Sequence, residues 1–217
     1  LANASTRGFQ RQRAVFHEVL GAAARPRGVA NPNRFVQIGG TVNDMTAGVT
    51  RTTGNKLDAV LPEGAFLTVR TPAGDRFTRA ASVTVDAEGA LHAAGFPLLD
   101  ESGEPIVVPT SGSPPELDAS GTVTVGGRSV ARLALTRFES PERLAPEGHS
   151  LYAPTPASGI GLTVDEPMTV GAVEESNASP TLAMTELIGT TRGFDAVQRA
   201  IDAFHSADQK LTTIVGG

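Results

Sequence analysis

Four histidines, His17, His92, His149 and His205, are the side chains best suited to metal binding or proton transfer. Metal sites draw their imidazoles from short, fixed spacings, and these four are scattered without one. They read as solvent-facing residues. The carboxylates Asp75, Asp86, Glu88, Asp100, Glu101 and Glu104 are the candidates for acid and base work of the glycosidase kind. Each stands close to Gly or Pro, where a short acidic side chain serves a turn by accepting backbone N–H bonds. Gly121 to Gly127 is bounded by glycines but lacks the Lys-Ser/Thr that a phosphate-binding loop requires. The chain has no cysteine, which removes thiol nucleophiles, thiolate metal sites and disulfides. No catalytic, cofactor-binding or metal-binding residue is therefore assigned.

With 217 residues the chain can hold one good core with appendages, or two small domains. Aromatic residues make up 5% with a single Tyr and no Trp, which argues against a large aromatic-lined pocket. A formal net charge of −5 argues against a nucleic-acid partner, because phosphate binding needs clustered Lys and Arg. The basic group Arg7, Arg11, Arg13, Arg25 and Arg27 is short and local. No apolar run reaches the roughly 18 residues of a membrane span, and no cleavable signal is visible. The chain begins with Leu rather than Met, so an upstream segment is expected.

The elements that position these residues change character along the chain. Leu1 to Phe9 is small and polar and reads as the exit from a helix. From Phe9 to Arg27, Val15, Phe16, Val19 and Leu20 fit either a helical face or a strand. Residues 21–34 are loop chemistry. From Phe35 on the period is two. Ala65 to Thr71 is an apolar strand closed by Pro72-Ala-Gly74, Arg76 to Asp86 alternates, and Asp86 to Gly89 turns into Ala90 to Ala93. Glu104 to Pro109, Leu162 to Val164 and Met168 to Val173 are further strand candidates. Thr122 to Val125, Gly126-Gly127, then Arg128 to Phe138 reads as a hairpin, since Gly-Gly supplies the positive φ angles of a type I′ turn. Strands at this spacing without interleaved helices predict a mainly β body, an antiparallel sandwich or partial barrel, over residues 41–173. Residues 1–40 are the end of a helix motif and an extended connector, and 174–217 the C-terminal helix.

That helix carries the clearest pattern. Leu187, Phe194, Ile201, Asp208 and Val215 recur every seventh residue, and Thr190, Val197, Phe204 and Leu211 follow three later. Glu186, Arg192, Asp195, Arg199, Asp202 and Lys210 lie off this seam, so the segment is an amphipathic helix with one apolar stripe. Ser179-Pro180 supplies an N-cap with Pro at the first helical position, and Gly216-Gly217 stops the run. Such a rod is about 55 Å long at 1.5 Å per residue and is expected to project. Ordering it costs about 1–2 kcal/mol per residue, so it should be frayed alone and ordered in an assembly. The assembly residues are Leu187, Phe194, Val197, Ile201, Phe204 and Leu211. Asn3, Gly8 and Asn177 are read as hinge and capping residues, the Asn-Ala-Ser sequences at 3–5 and 177–179 serving helix ends rather than glycosylation.

Leu1-Ala-Asn-Ala-Ser-Thr-Arg-Gly-Phe9 resembles the motif that closes the N-terminal helix of the bacterial flagellar rod and hook proteins. Gly171-Ala-Val-Glu-Glu-Ser-Asn177, Met184, Leu187-Ile188 and Arg192-Gly-Phe194 resemble that family's C-terminal signature. Between them, Thr53-Gly-Asn-Lys-Leu-Asp58, Gly64-Ala-Phe66, Thr71 to Arg79 and Gly89-Ala-Leu91 follow the family's order. Arg7 and Lys56 stand where Pro is usual, and Ala183 where Glu is. The resemblance implies a subunit of the axial rod, of the proximal rod by length and ending, with the distal rod or a hook-type paralogue as the alternative. It implies an N-terminal helix that packs with the C-terminal one in a coiled-coil inner tube, the β body outside, and no enzymatic activity or cofactor. Its partners would be other rod proteins, copies of itself and the flagellar export apparatus. Its home would be the basal body in the periplasm, reached without a cleaved signal. Repeated heterologous contacts of this kind do not close and so build a filament. Two other classes remain at this point, a periplasmic β-sandwich binding module with a helical tether and a hydrolase using turn carboxylates.

Overall fold

The computed structural model describes residues 3–20 and 34–215, with side chains for all of these except 16–20, 34–38 and 207–215. The chain divides into a β unit over Ala2–Ala178 and a helical unit from Ser179 on. Every strand pairing among the described residues is antiparallel, so the architecture is mainly β followed by one long helix.

β1 (Gln12–Leu20) pairs with β2 (Arg34–Asn43) from Gln12↔Asn43 to Leu20↔Arg34, with a bulge between Val15 and Phe16. The segment that the sequence left open between helix and strand is thus a strand, in keeping with its β-branched and aromatic residues. The rest of the expected connector, residues 21–33, lies outside the described residues. β3 (Thr50–Thr52) and β4 (Ala59–Val60) wait for partners near the end of the unit. β5 (Ala65–Thr71) and β6 (Gly74–Thr78) form the central hairpin, turning where Pro72-Ala-Gly74 was expected to turn. β7 (Thr84–Val85), β8 (Leu91–Ala93) and β9 (Phe96–Pro97) make a small sheet, and β10 (Pro115–Leu117), β11 (Thr122–Val125) and β12 (Arg128–Arg132) another. β13 (Leu135–Arg137), β14 (Ala145–Gly148), β15 (Leu151–Ala153) and β16 (Leu162–Thr163) complete a six-stranded sheet in the order β14-β15-β6-β5-β13-β16. β17 (Thr169–Val170) and β18 (Ala172–Glu174) then pair back onto β4 and β3.

Three expected runs are broken for local reasons. Arg76 to Asp86 ends as a strand after Thr78, where the Thr78 hydroxyl and the Arg79 carbonyl take the amides of Ala80 and Ala81. Arg128 to Phe138 divides at Leu133 and Ala134, and its second half joins the six-stranded sheet. Met168 to Val173 divides at Gly171, which has φ +80. The Gly126-Gly127 turn is as expected, with φ +58 and +77.

The core lies on both sides of β5. Leu67 and Val69 face a large cluster with Leu91, Leu98, Ile106, Val123, Leu133 and Leu135, whereas Phe66 faces an aromatic group with Phe138, Leu144 and Tyr152. Burial on both faces explains why β5 is a nearly continuous apolar run rather than an alternating one. The rings pack edge to face, Phe66 with Phe138 at 6.0 Å and with Tyr152 at 5.8 Å. Burial pushes the Tyr152 phenol up to about 12.

Candidate assembly interface

The three stretches that carry the resemblance, near residues 8, 79 and 174, meet in space at the point where the chain enters and leaves the β unit. β18 ends on Glu174, whose carboxylate is buried. Its Oε2 accepts from Arg79 Nη2 at 2.5 Å and Nε at 3.2 Å, and its Oε1 accepts from Gln10 Nε2 at 2.9 Å and the Gly48 amide at 3.1 Å. The Gly8 amide donates to the Glu174 carbonyl at 2.9 Å. Arg79 is as buried as its partner, at 3% against 2% side-chain exposure, and its Nη1 donates to the Ala65 carbonyl. Its guanidinium lies 5.9 Å from the Phe66 ring, so the ion pair rests on the aromatic group. Among the described residues no buried side-chain polar atom lacks a hydrogen-bond partner.

Gly8 has φ +63, and a Cβ there would lie 2.5 Å from the Ala80 nitrogen and from the Arg79 carbonyl carbon. Only glycine fits at this close approach. Asn3 lies in the turn before it, its carbonyl accepting from the Thr6 amide at 3.2 Å. Asn177 does not cap a helix, contrary to expectation. Its Oδ1 accepts the Arg11 amide at 2.7 Å, and its Nδ2 donates to Gln10 Oε1 at 2.6 Å and to the Asp44 carbonyl at 2.7 Å. An amide can donate and accept at once, so it ties strands together better than it terminates a helix. The cap of the helix is Ser179, whose Oγ accepts the Leu182 amide at 3.3 Å. Beside this network the Thr46 hydroxyl, with Arg11 and Arg13, holds the Asp44 carboxyl down at about 2. Gln10, Asp44, Arg79 and Glu174 were missed as functional candidates. Arg79 and Glu174 stand inside the recognised motifs, but the 95 positions between them hide their contact.

The helical unit is α1 (Pro180–Val215). Along it Leu187, Phe194, Val197, Ile201 and Phe204 are all exposed, from 45% at Ile201 to 76% at Phe204. Met184 and Ile188 are exposed as well and widen the stripe. Leu211 lies within α1, but its side chain falls outside the described residues, as does the expected Gly216-Gly217 stop. The helix is a weak one by itself: Gly189 and Gly193 interrupt it, each about 1 kcal/mol worse than Ala. Thr185, Thr190 and Thr191 bond back to the carbonyls four residues earlier. The helix thus carries an exposed apolar stripe on a poor helix former.

Of the six carboxylates expected to serve turns, Asp86 and Asp100 do so, whereas Asp75 pairs with Arg70 and Glu101 lies 3.6 Å from Arg132. Asp86 Oδ1 accepts the amides of Glu88 and Ala90, and Asp100 Oδ1 those of Ser102 and Glu104. Asp118, not singled out from sequence, makes the same bonds to Ser120 and Thr122, and the Ser120 hydroxyl holds its carboxyl below the usual range. No cluster of His, Cys, Asp or Glu that could hold a metal occurs among the described residues, and no helix there is long and apolar enough to cross a membrane.

The described residues present an exposed apolar stripe and a β unit whose two chain exits are fastened together, features of the class of structural building blocks. Comparison with known proteins agrees. Residues 169–214 match the family described as flagellar basal body rod FlgEFG protein C-terminal. The chain is 32% identical over 218 residues to the flagellar basal-body rod protein FlgF of Escherichia coli (strain K12), covering 94% of this chain and 84% of that one. It is 29% identical over 203 residues to FlgF of Caulobacter vibrioides, covering 93% and 83%. Flagellar basal-body rod protein FlgG of Bacillus subtilis is 26% identical over 241 residues, covering 99% and 90%. The chain belongs to the flagellar basal-body rod protein family. It is a structural subunit of the basal-body rod, working in motility and assembling with other rod components, and not an enzyme.

Proposed function

We propose that this subunit occupies the proximal rod, the position of FlgF-type proteins, and that α1 is its polymerising element. The observation that carries the reading is the exposed stripe Leu187, Phe194, Val197, Ile201 and Phe204, continued by Leu211 in the heptad register. Each large apolar side chain contributes about 1.5–3 kcal/mol when buried, and a heptad seam is buried by another helix. The partners are helices of neighbouring copies and sister rod proteins, including an N-terminal helix of the kind that the Leu1 to Phe9 motif closes in the family. Together they form an inner tube in coiled-coil contact, in a periplasmic structure reached through the flagellar export apparatus without a cleaved signal. The β unit, residues 41–173 at its centre, sets subunit register, and Asn3, Gly8 and Asn177 shape the chain's exits. Asp at position 194 or 201 tests this. Phe194→Asp and Ile201→Asp should leave a folded, exported β unit and abolish rod assembly and swimming. Swimming at the wild-type rate would overturn the assignment of the seam.

A further inference from the structure

We propose that Glu174 is a positioning residue whose buried carboxylate holds the chain's entrance to and exit from the β unit side by side, in the register that a rod subunit needs. The inference rests on the rod reading. Groups from segments 95, 164 and 126 positions away donate to this one carboxylate: the Arg79 guanidinium, the Gln10 amide and the Gly48 backbone. Its own backbone carbonyl takes the Gly8 amide, and Gln10 passes the connection to Asn177, which binds the Arg11 amide. A chain of bonds thus runs from Arg79 in the body, through Glu174 and Gln10, to the residues on either side of the exit.

Stability is a poor reason for this arrangement. Burying both charges of an ion pair forfeits their hydration, and an apolar pair of equal volume usually holds a core as well or better. What an apolar pair lacks is direction. Four donors aimed at two oxygens fix the angle between β18 and the Gly8 to Gln10 segment, and a greasy contact would let them slide. The glycine at position 8 serves the same end by letting that segment lie against Arg79 and Ala80.

Glu174→Gln keeps the shape but turns one oxygen into a donor, which then faces another donor on either side. Hydrogen exchange in this variant should rise by at least about ten-fold at the Gly8 and Gly48 amides and stay within about two-fold at the Thr68 and Leu99 amides of the core. In a strain lacking its own copy, the variant should fail to restore swimming, while a core variant matched to it in thermal midpoint, Val69→Ala, should restore it. Wild-type swimming by Glu174→Gln overturns the proposal, and so does equal loss in both variants, because stability alone then explains the effect. If Glu174→Gln does not fold, Gln10→Met removes one donor from Glu174 together with the link to Asn177, and an unchanged Gly8 amide with normal swimming overturns the proposal. Should even the unsubstituted chain fail to restore swimming, the rod reading fails, and the exchange measurement still decides the positioning role.

Discussion

Replacing Gly8 by Ala isolates the physical cause of the close approach at the chain's entrance. Two penalties act there. The left-handed φ of +63 costs an L-residue about 1–2 kcal/mol. The added methyl would also sit 2.5 Å from two backbone atoms of Arg79 and Ala80 and 2.8 Å from the Ala80 Cα. Backbone atoms cannot swing aside as a side-chain tip does, so the segment must lift off, at about a further 1–3 kcal/mol. Gly54 provides the reference, with φ +73 and no atom within 4 Å of the point where a methyl would sit. Gly54→Ala should therefore lose about 1–2 kcal/mol and Gly8→Ala about 2–5 kcal/mol. The chain has no Trp to report on unfolding, so urea titrations of both variants are followed by far-ultraviolet dichroism. The difference comes directly from the midpoints if the slopes agree. Equal losses in the two variants would refute the steric argument and with it the claim that Gly8 shapes the exit.

Three further outcomes follow from the geometry. Asp44, lowered from 3.8 to about 2, titrates below its unfolded value, so its stabilisation is whole above about pH 4 and disappears as the pH falls toward 2. It amounts to at most about 2.5 kcal/mol, and Asp44→Asn should flatten the acid limb of a stability-against-pH curve while lowering stability at pH 7. His149 and Ser150 form a two-residue hairpin loop with φ +51 and +59, angles that suit Asn and Gly. His149→Asn should raise the unfolding free energy by about 0.5–1 kcal/mol in a denaturant titration. Gly189→Ala, with open space around it, should raise the helix signal of the isolated chain.

The turns and the helix were the most legible parts of the sequence, because both are set by neighbours in the chain. Gly126-Gly127, Pro72-Ala-Gly74, Asp86 and Asp100 do locally what their types imply, and Ser179-Pro180 starts α1. Long alternating runs were less legible. Whether Arg76 to Asp86 continues as one strand depends on what its amides find, and the Thr78 hydroxyl is a better local partner than a distant strand. The fastening of the exits was hidden for a different reason. Glu174 and Arg79 are ordinary surface types by composition, and nothing in either one's surroundings along the chain indicates that they are buried together. Asn177 is ambiguous along the chain, since an Asn two residues before a Ser-Pro start suits a helix end as well as a tie between segments, and only the fold shows which groups its amide reaches.

The central claim is that the stripe on α1 is covered by other subunits. The chain has no cysteine, so Ile201→Cys and, off the stripe, Arg199→Cys each carry a single thiol. Thiol labelling of the isolated chain and of assembled basal bodies compares the two positions. Both should react in the isolated chain, where Ile201 is exposed, and in the assembly position 201 should be protected by at least about ten-fold while position 199 stays reactive. Equal labelling at position 201 in the isolated and assembled states would contradict the account.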